Sequence, residues 1–151
     1  MEWANETSGG WTRRLIQDID SWRGRKHGFV DFHMTQFLSN HGCFGGHLHK
    51  IGKIDAATCV DCQEPIDDAE HVFFACGRWW RQRRTLEVEL GVDLSPDNVV
   101  CSMLKKRTNW DAVSRLSTSY RQPGNKKKGC GNDLELTKLD NTIFLCAESE
   151  S

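Results

Sequence analysis

Four residues near the middle of the chain have the types and spacing of a metal centre. Cys59, Cys62, His71 and Cys76 form the pattern Cys-x2-Cys-x8-His-x4-Cys, three thiols and one imidazole within eighteen residues. That is the ligand set of a closed tetrahedral zinc site. A two-residue gap lets the sulfurs of Cys59 and Cys62 face one ion from a tight turn, and the longer loop brings the chain round to the second pair. His71 and Cys76 are five apart, which on an ideal helix separates the side chains by about 140 degrees. They cannot share a regular helical face, so the segment must bend near Cys76, with Gly77 supplying backbone freedom. Cys59 and Cys62 sit among Val, Asp, Gln and Glu, whereas inert buried thiols belong in apolar runs. Four protein ligands leave no open position for water, so one structural ion is expected and a zinc hydrolase is not. Asp61, Glu64, Asp67, Asp68 and Glu70 are expected to solvate the loop, with Glu70 able to orient a ligand by hydrogen bonding.

Cations follow the loop directly. Arg78, Arg81, Arg83 and Arg84 stand within seven residues, interleaved with Trp79 and Trp80. Such density can neutralise phosphates, and an exposed Trp can stack on a base. The same residues also suit a solvated helix face, or a protein-interaction platform on which Trp79 or Trp80 anchors a partner. His41, His47 and His49 suggest a second metal site or a metal-dependent nuclease, but His47 and His49 are two apart and point to different sides of a helix. Structural histidines are the plainer reading. Cys43, Cys101, Cys130 and Cys146 have no paired spacing.

Helices must position these groups. Trp11, Leu15, Ile19 and Trp22 recur at four, four and three, one face of a helix entered at Ser8-Gly9-Gly10 and left at Gly24. Asp31 is a candidate N-cap for a helix through Met34, Phe37, Leu38 and His41, stopped by Gly42. Phe44, Leu48 and Ile51 suggest a short helix before Gly52. After the loop, Trp79, Leu86 and Leu90 lie on one face of a helix ended by Gly91. Ser95-Pro96 reads as a helix start leading to Val99, Val100, Met103 and Leu104. Thr108 and Asp111 resemble a capping box ahead of Trp110, Val113, Leu116 and Tyr120. Pro123-Gly124 ends that helix, and Lys126 to Lys128 read as a solvated linker. The expected fold is a mostly α, small helical domain interrupted by a CCHC zinc-knuckle loop, with an irregular C-terminal tail. Its divisions are an N-terminal stub over 1–10, a helical segment over 11–57, the knuckle over 58–77, a second helical segment over 78–121 and a poorly ordered tail over 122–151.

Length and composition agree with one ordinary domain: 151 residues, 20 Lys plus Arg against 21 Asp plus Glu, and 38% hydrophobic residues. A net charge of -1 excludes a uniformly basic nucleic-acid coat but not a local basic stripe. No apolar run approaches the ~20 residues that span a bilayer, so no membrane partner is expected. The start, MEWANETSGG, lacks the features of a secretory signal. Seven irregularly spaced Cys in such a chain point to thiol or metal chemistry rather than a disulfide framework. An intracellular protein is expected, with nucleus and cytoplasm left open.

Several blocks occur here in a familiar order: Trp11-Thr12-Arg13-Arg14-Leu15-Ile16, His27-Gly28, the run from Thr35 to Phe44 (TQFLSNHGCF), Leu48-His49-Lys50, the metal quartet, and Glu70-His71-Val72-Phe73-Phe74-Ala75-Cys76. Over about residues 2 to 120 the chain resembles the C-terminal region of reverse transcriptase polyproteins from insect non-long-terminal-repeat retrotransposons, downstream of the polymerase. The resemblance implies that Cys59, Cys62, His71 and Cys76 are zinc ligands. It also implies that the region helps hold template RNA or target DNA, single-stranded or at a primer-template junction, beside the polymerase portion of the same polyprotein. The family's own catalysis belongs to an endonuclease and a polymerase palm with paired aspartates. No YxDD-type motif occurs here, so the chain by itself is expected not to be an enzyme. Its last helix breaks at Arg121-Gln122-Pro123-Gly124, where the family would continue with further Leu and Arg.

Overall fold

Asp31 does what its position predicts. Its carboxylate accepts from the Met34 N–H at 2.8 Å and opens helix α3, Phe32–Ser39, in a computed structural model that describes residues 9–120. The buried face of α3 is Met34, Phe37 and Leu38, each 0% exposed. Two other N-terminal helices, α1 over Gly10–Leu15 and α2 over Ile19–Arg23, precede it, and α4 follows over Gly45–Lys50. Beyond the loop come α5 over Trp80–Leu90, α6 over Val99–Lys105 and α7 over Arg107–Ser119. The described residues contain no strand, and none of their helices is long and apolar enough to cross a membrane.

Helix α7 is the hub, packing against α3, α5 and α6. Its apolar stripe of Trp110, Val113 and Leu116 is buried, and each such side chain contributes about 1.5–3 kcal/mol relative to exposure. Trp110 lies tilted on Trp22 of α2 with centroids 5.5 Å apart. At the other end of the core, Phe37 stacks on Phe73 of the loop at 3.8 Å. The last carbonyls of α3 would have no helical partner; instead, Trp11 Nε1 donates to the Phe37 carbonyl and Thr12 Oγ1 to the Leu38 carbonyl, both at 2.8 Å. Helices from before and after the loop therefore share one hydrophobic core.

Several local expectations are corrected. The single helix through Trp11 and Trp22 is two helices, because the Asp18 side chain accepts from the Asp20 and Ser21 N–H groups and restarts the chain as α2. Helix α3 ends at Asn40, which takes the left-handed conformation (φ 61°) before Gly42 is reached. Ser95-Pro96 forms a turn and not a first helical residue: the Ser95 carbonyl accepts from Asn98 and Val99, and α6 begins at Val99. Thr108 does not cap α7, which starts one residue earlier, at Arg107, without a side-chain cap. The expected tail over 122–151 lies outside the described residues, as does most of the expected stub over 1–10.

Gly28 fixes the loop between α2 and α3. Its φ is +95°, and a Cβ there would fall 2.3 Å from the Trp110 ring, so a residue without a side chain is required on both counts.

Candidate metal centre

The turn that begins at Cys59 is built from two backbone hydrogen bonds. The Gln63 N–H donates to the Cys59 carbonyl at 3.0 Å, and the Cys59 N–H donates to Glu64 at 2.9 Å. Gln63 closes the turn in the left-handed region, φ 65°. Cys59 is buried and Cys62 exposed.

The second half solves the spacing problem with a π-helical turn, His71–Ala75. The Cys76 N–H donates to the His71 carbonyl at 2.7 Å, an i to i+5 bond that widens the turn. Residues five apart, which an α-helix would separate, can then face the same point; π turns of this kind recur at functional sites. The bend expected near Cys76 is present, since Cys76 itself is extended and a 3-10 turn over Gly77–Trp79 leads into α5.

These turns bring one ligand atom from each of Cys59, Cys62, His71 and Cys76 within 4.8 Å of one another. Zinc–sulfur bonds of ~2.3 Å imply sulfur–sulfur edges of roughly 3.8 Å in a tetrahedron, and the Cys59 and Cys76 sulfurs are 3.9 Å apart. Cys62 Sγ and His71 Nε2 stand 3.1 Å apart, a shorter edge. The donor set and its spacing fit one tetrahedral ion. Burial first, and the neighbouring Cys59 as well, push the Cys76 thiol up to about 12, against a backbone hydrogen bond from Arg78 that favours the thiolate. A thiol so placed keeps its proton at neutral pH until a cation arrives to displace it.

The acidic residues of the loop are more structural than sequence reasoning expected. Asp67 is 1% exposed and does not solvate the loop; its carboxylate accepts from the Gly45 N–H at 3.0 Å and so ties the start of α4 to the loop. Asp68 accepts from the His71 N–H at 2.8 Å and caps the π turn that carries a ligand. The capping pattern, an Asp three residues before His71, was readable; the burial of Asp67 was not. Asn40, also missed, accepts from the Ala69 N–H at 2.8 Å. Glu70 pairs with Arg14 at 2.9 Å.

The basic cluster divides. Arg83 is 8% exposed, and its guanidinium donates to the carbonyls of Phe73 at 3.3 Å and Cys76 at 3.1 Å. It falls between Trp79 and Leu86 on the inner face of α5, so as a phosphate contact it is corrected. Trp79 is buried as well, edge-on to Tyr120 at 4.6 Å, which rules out base stacking by its ring. Arg78 pairs with Asp61 at 3.0 Å, and Arg84 with Glu87 at 3.3 Å and Asp93 at 3.6 Å. Arg81 and Trp80 are exposed. The His41 and His47 rings stack at 4.6 Å and 24°, presenting faces to each other. Among the described residues, the quartet is the one group of three or more His, Cys, Asp or Glu placed to hold an ion.

Over 91 residues the chain is 33% identical to the retrovirus-related Pol polyprotein from type-1 retrotransposable element R1 2 of Nasonia vitripennis. The match takes 60% of this chain and 21% of that polyprotein, so the chain spans about a fifth of the length of the relative it matches. No known family profile and no solved structure matches it.

Proposed function

We propose that the chain is a zinc-stabilised nucleic-acid-binding module from the C-terminal part of an insect non-long-terminal-repeat retrotransposon polyprotein, where it helps hold template RNA or target DNA for the polymerase portion. The observation that carries this reading is the convergence of Cys59, Cys62, His71 and Cys76 in a chain similar to a retrotransposon polyprotein. Three thiolates and an imidazole favour zinc among the divalent ions. Bound there, zinc would supply a cross-link between the knuckle and the π turn and no open coordination position. The role is therefore binding and not catalysis.

The protein's own residues account for the rest. Three thiolates and a divalent ion leave one net negative charge, and the Arg83 guanidinium lies against the Cys76 carbonyl to offset it. That explains a buried cation whose hydrogen bonds go to carbonyls. Phe73, stacked on Phe37, fixes the π turn to α3, so the ligand loop and the helical core hold each other in place. Arg78 and Arg84 keep exposed ion pairs, which are worth only about 0–1 kcal/mol and can exchange a carboxylate for a phosphate. A protein-interaction module is the rival; Trp80, 59% exposed, is its best anchor, but it stands between cations.

Fluorescent RNA and single-stranded DNA titrated with the zinc-loaded chain at several salt concentrations test the proposal. Binding that weakens steadily with salt is expected. Absence of binding, or affinity indifferent to salt, would leave the interaction module as the better account.

A further inference from the structure

The cations beside the knuckle are largely engaged, but a second set is not. Lys105, Lys106 and Arg107 are exposed at the corner where α6 passes into α7, and Lys26 is exposed in the loop after α2. None of the four makes an ion pair among the described residues. Two of them share a groove, and Lys106 and Arg107 follow Lys105 directly in the chain. Lys26, His27 and Lys105 line the same groove of about 650 Å³, and a His27 ring nitrogen hydrogen-bonds the Met103 carbonyl at 2.9 Å. The carboxylates along that groove are already used: Asp18 caps α2, and Asp97 pairs with Arg14.

An aromatic ring stands in the same loop. Phe29 is 80% exposed, the most exposed large hydrophobic side chain among the described residues. Its backbone is not free to retract the ring, because its carbonyl accepts from Trp110 Nε1 at 3.2 Å and Gly28 is packed against the Trp110 ring. Arg25 adds stiffness by lying over Trp22 at 4.5 Å and donating to the Trp22 carbonyl. Cations without an ion pair among the described residues, beside an exposed ring on a tethered backbone, form the combination by which proteins hold single strands without reading sequence: phosphates meet the cations and a base stacks on the ring.

We infer that Lys26, Phe29, Lys105, Lys106 and Arg107 form a single-strand contact surface across the α2–α3 loop and the α6–α7 corner, separate from the knuckle. The inference rests on the nucleic-acid reading above and adds where the strand lies. With four phosphates engaged, the slope of log affinity against log salt is about -3 on a single strand.

The test compares four zinc-loaded full-length proteins for binding a fluorescent oligouridylate: wild type, the triple change Lys105→Gln, Lys106→Gln and Arg107→Gln, Phe29→Ala, and the double change Trp80→Ala with Arg81→Gln. All altered side chains are exposed, and circular dichroism checks that each protein folds. The triple variant is expected to lose tenfold or more in affinity at low salt, with its slope reduced by about 2. Phe29→Ala is expected to lose about fivefold or more with its slope unchanged, the mark of a stacking contact as opposed to a phosphate contact. Wild-type binding that the triple and Phe29 variants retain, while the Trp80 and Arg81 variant loses it, would overturn this surface and leave the proposed function standing. No binding by wild type would overturn both.

Discussion

Replacing Arg83 by Ala should damage the protein far more than replacing Arg81, though both belong to one basic run. Arg83 is 8% exposed and donates to two carbonyls, of Phe73 and of Cys76, at 3.3 and 3.1 Å. Truncation takes that donor from the Phe73 carbonyl, at about 1–3 kcal/mol, while the Cys76 carbonyl keeps the Trp79 N–H at 3.2 Å. Relief of the guanidinium's own desolvation returns part of this. A net loss of about 1–3 kcal/mol follows, a sizeable fraction of the ~5–15 kcal/mol that holds a domain folded. With a urea slope of ~1–3 kcal/mol per molar, the unfolding midpoint should fall by on the order of 1 M. Arg81→Ala, at an exposed position, should stay within ~0.5 kcal/mol. Arg83 also holds the carbonyl of the proposed ligand Cys76 at 3.1 Å, so Arg83→Met should give up zinc to a chelator at lower chelator concentration than wild type, and Arg83→Lys should fall between them. Urea unfolding and chelator competition measure the two effects. Equal midpoints for the Arg83 and Arg81 variants would refute the assignment of Arg83 to the core.

Gly28→Ala should destabilise by about 2 kcal/mol or more, because it forces a side chain into the left-handed region and against the Trp110 ring at 2.3 Å; thermal unfolding at wild-type temperature would contradict this. Asp67→Ala removes the acceptor of the Gly45 N–H and should cost about 1–3 kcal/mol, with faster hydrogen exchange at Gly45 as the local readout. Hydrogen bonds from Ser21, the hydroxyl foremost, hold the Asp18 carboxyl below the usual carboxylate range. Its stabilisation of α2 is therefore complete above the unfolded carboxylate pKa and lost as pH falls through the lower folded value, which an acid titration of the Ser21 amide resonance follows; a midpoint at the free-Asp value would contradict it. Among the described thiols, Cys101 should react quickly with a thiol reagent whether or not metal is present, and Cys62 only after chelation, ahead of buried Cys59 and Cys76. Simultaneous modification of all four in the zinc-loaded protein would count against the site.

The quartet was legible because its ligands are close in sequence and surrounded by polar residues, so tertiary packing adds little to the argument. Asp31 was legible for the same reason, a cap being a contact across three residues. Arg83 was not. Trp79, Leu86 and Leu90 already marked the inner face of α5, and Arg83 sits four after Trp79 and three before Leu86 on that face; its charge argued for solvent. What holds it inside is a pair of carbonyls, one in the π turn at Phe73 and one just after it at Cys76, and nothing in a residue pattern announces an i to i+5 bond. The break between α1 and α2 was hidden in a similar way: the apolar period runs through Ile19 unchanged, and the Asp18 cap interrupts it.

X-ray absorption at the zinc edge on the purified chain addresses the metal centre directly. One zinc per chain with three sulfur neighbours at ~2.3 Å and one nitrogen at ~2.0–2.1 Å is the expected shell, with Cys76→Ser reducing it to two sulfurs. A shell of oxygen and nitrogen alone, or a zinc shell that Cys76→Ser leaves unchanged, would contradict the account.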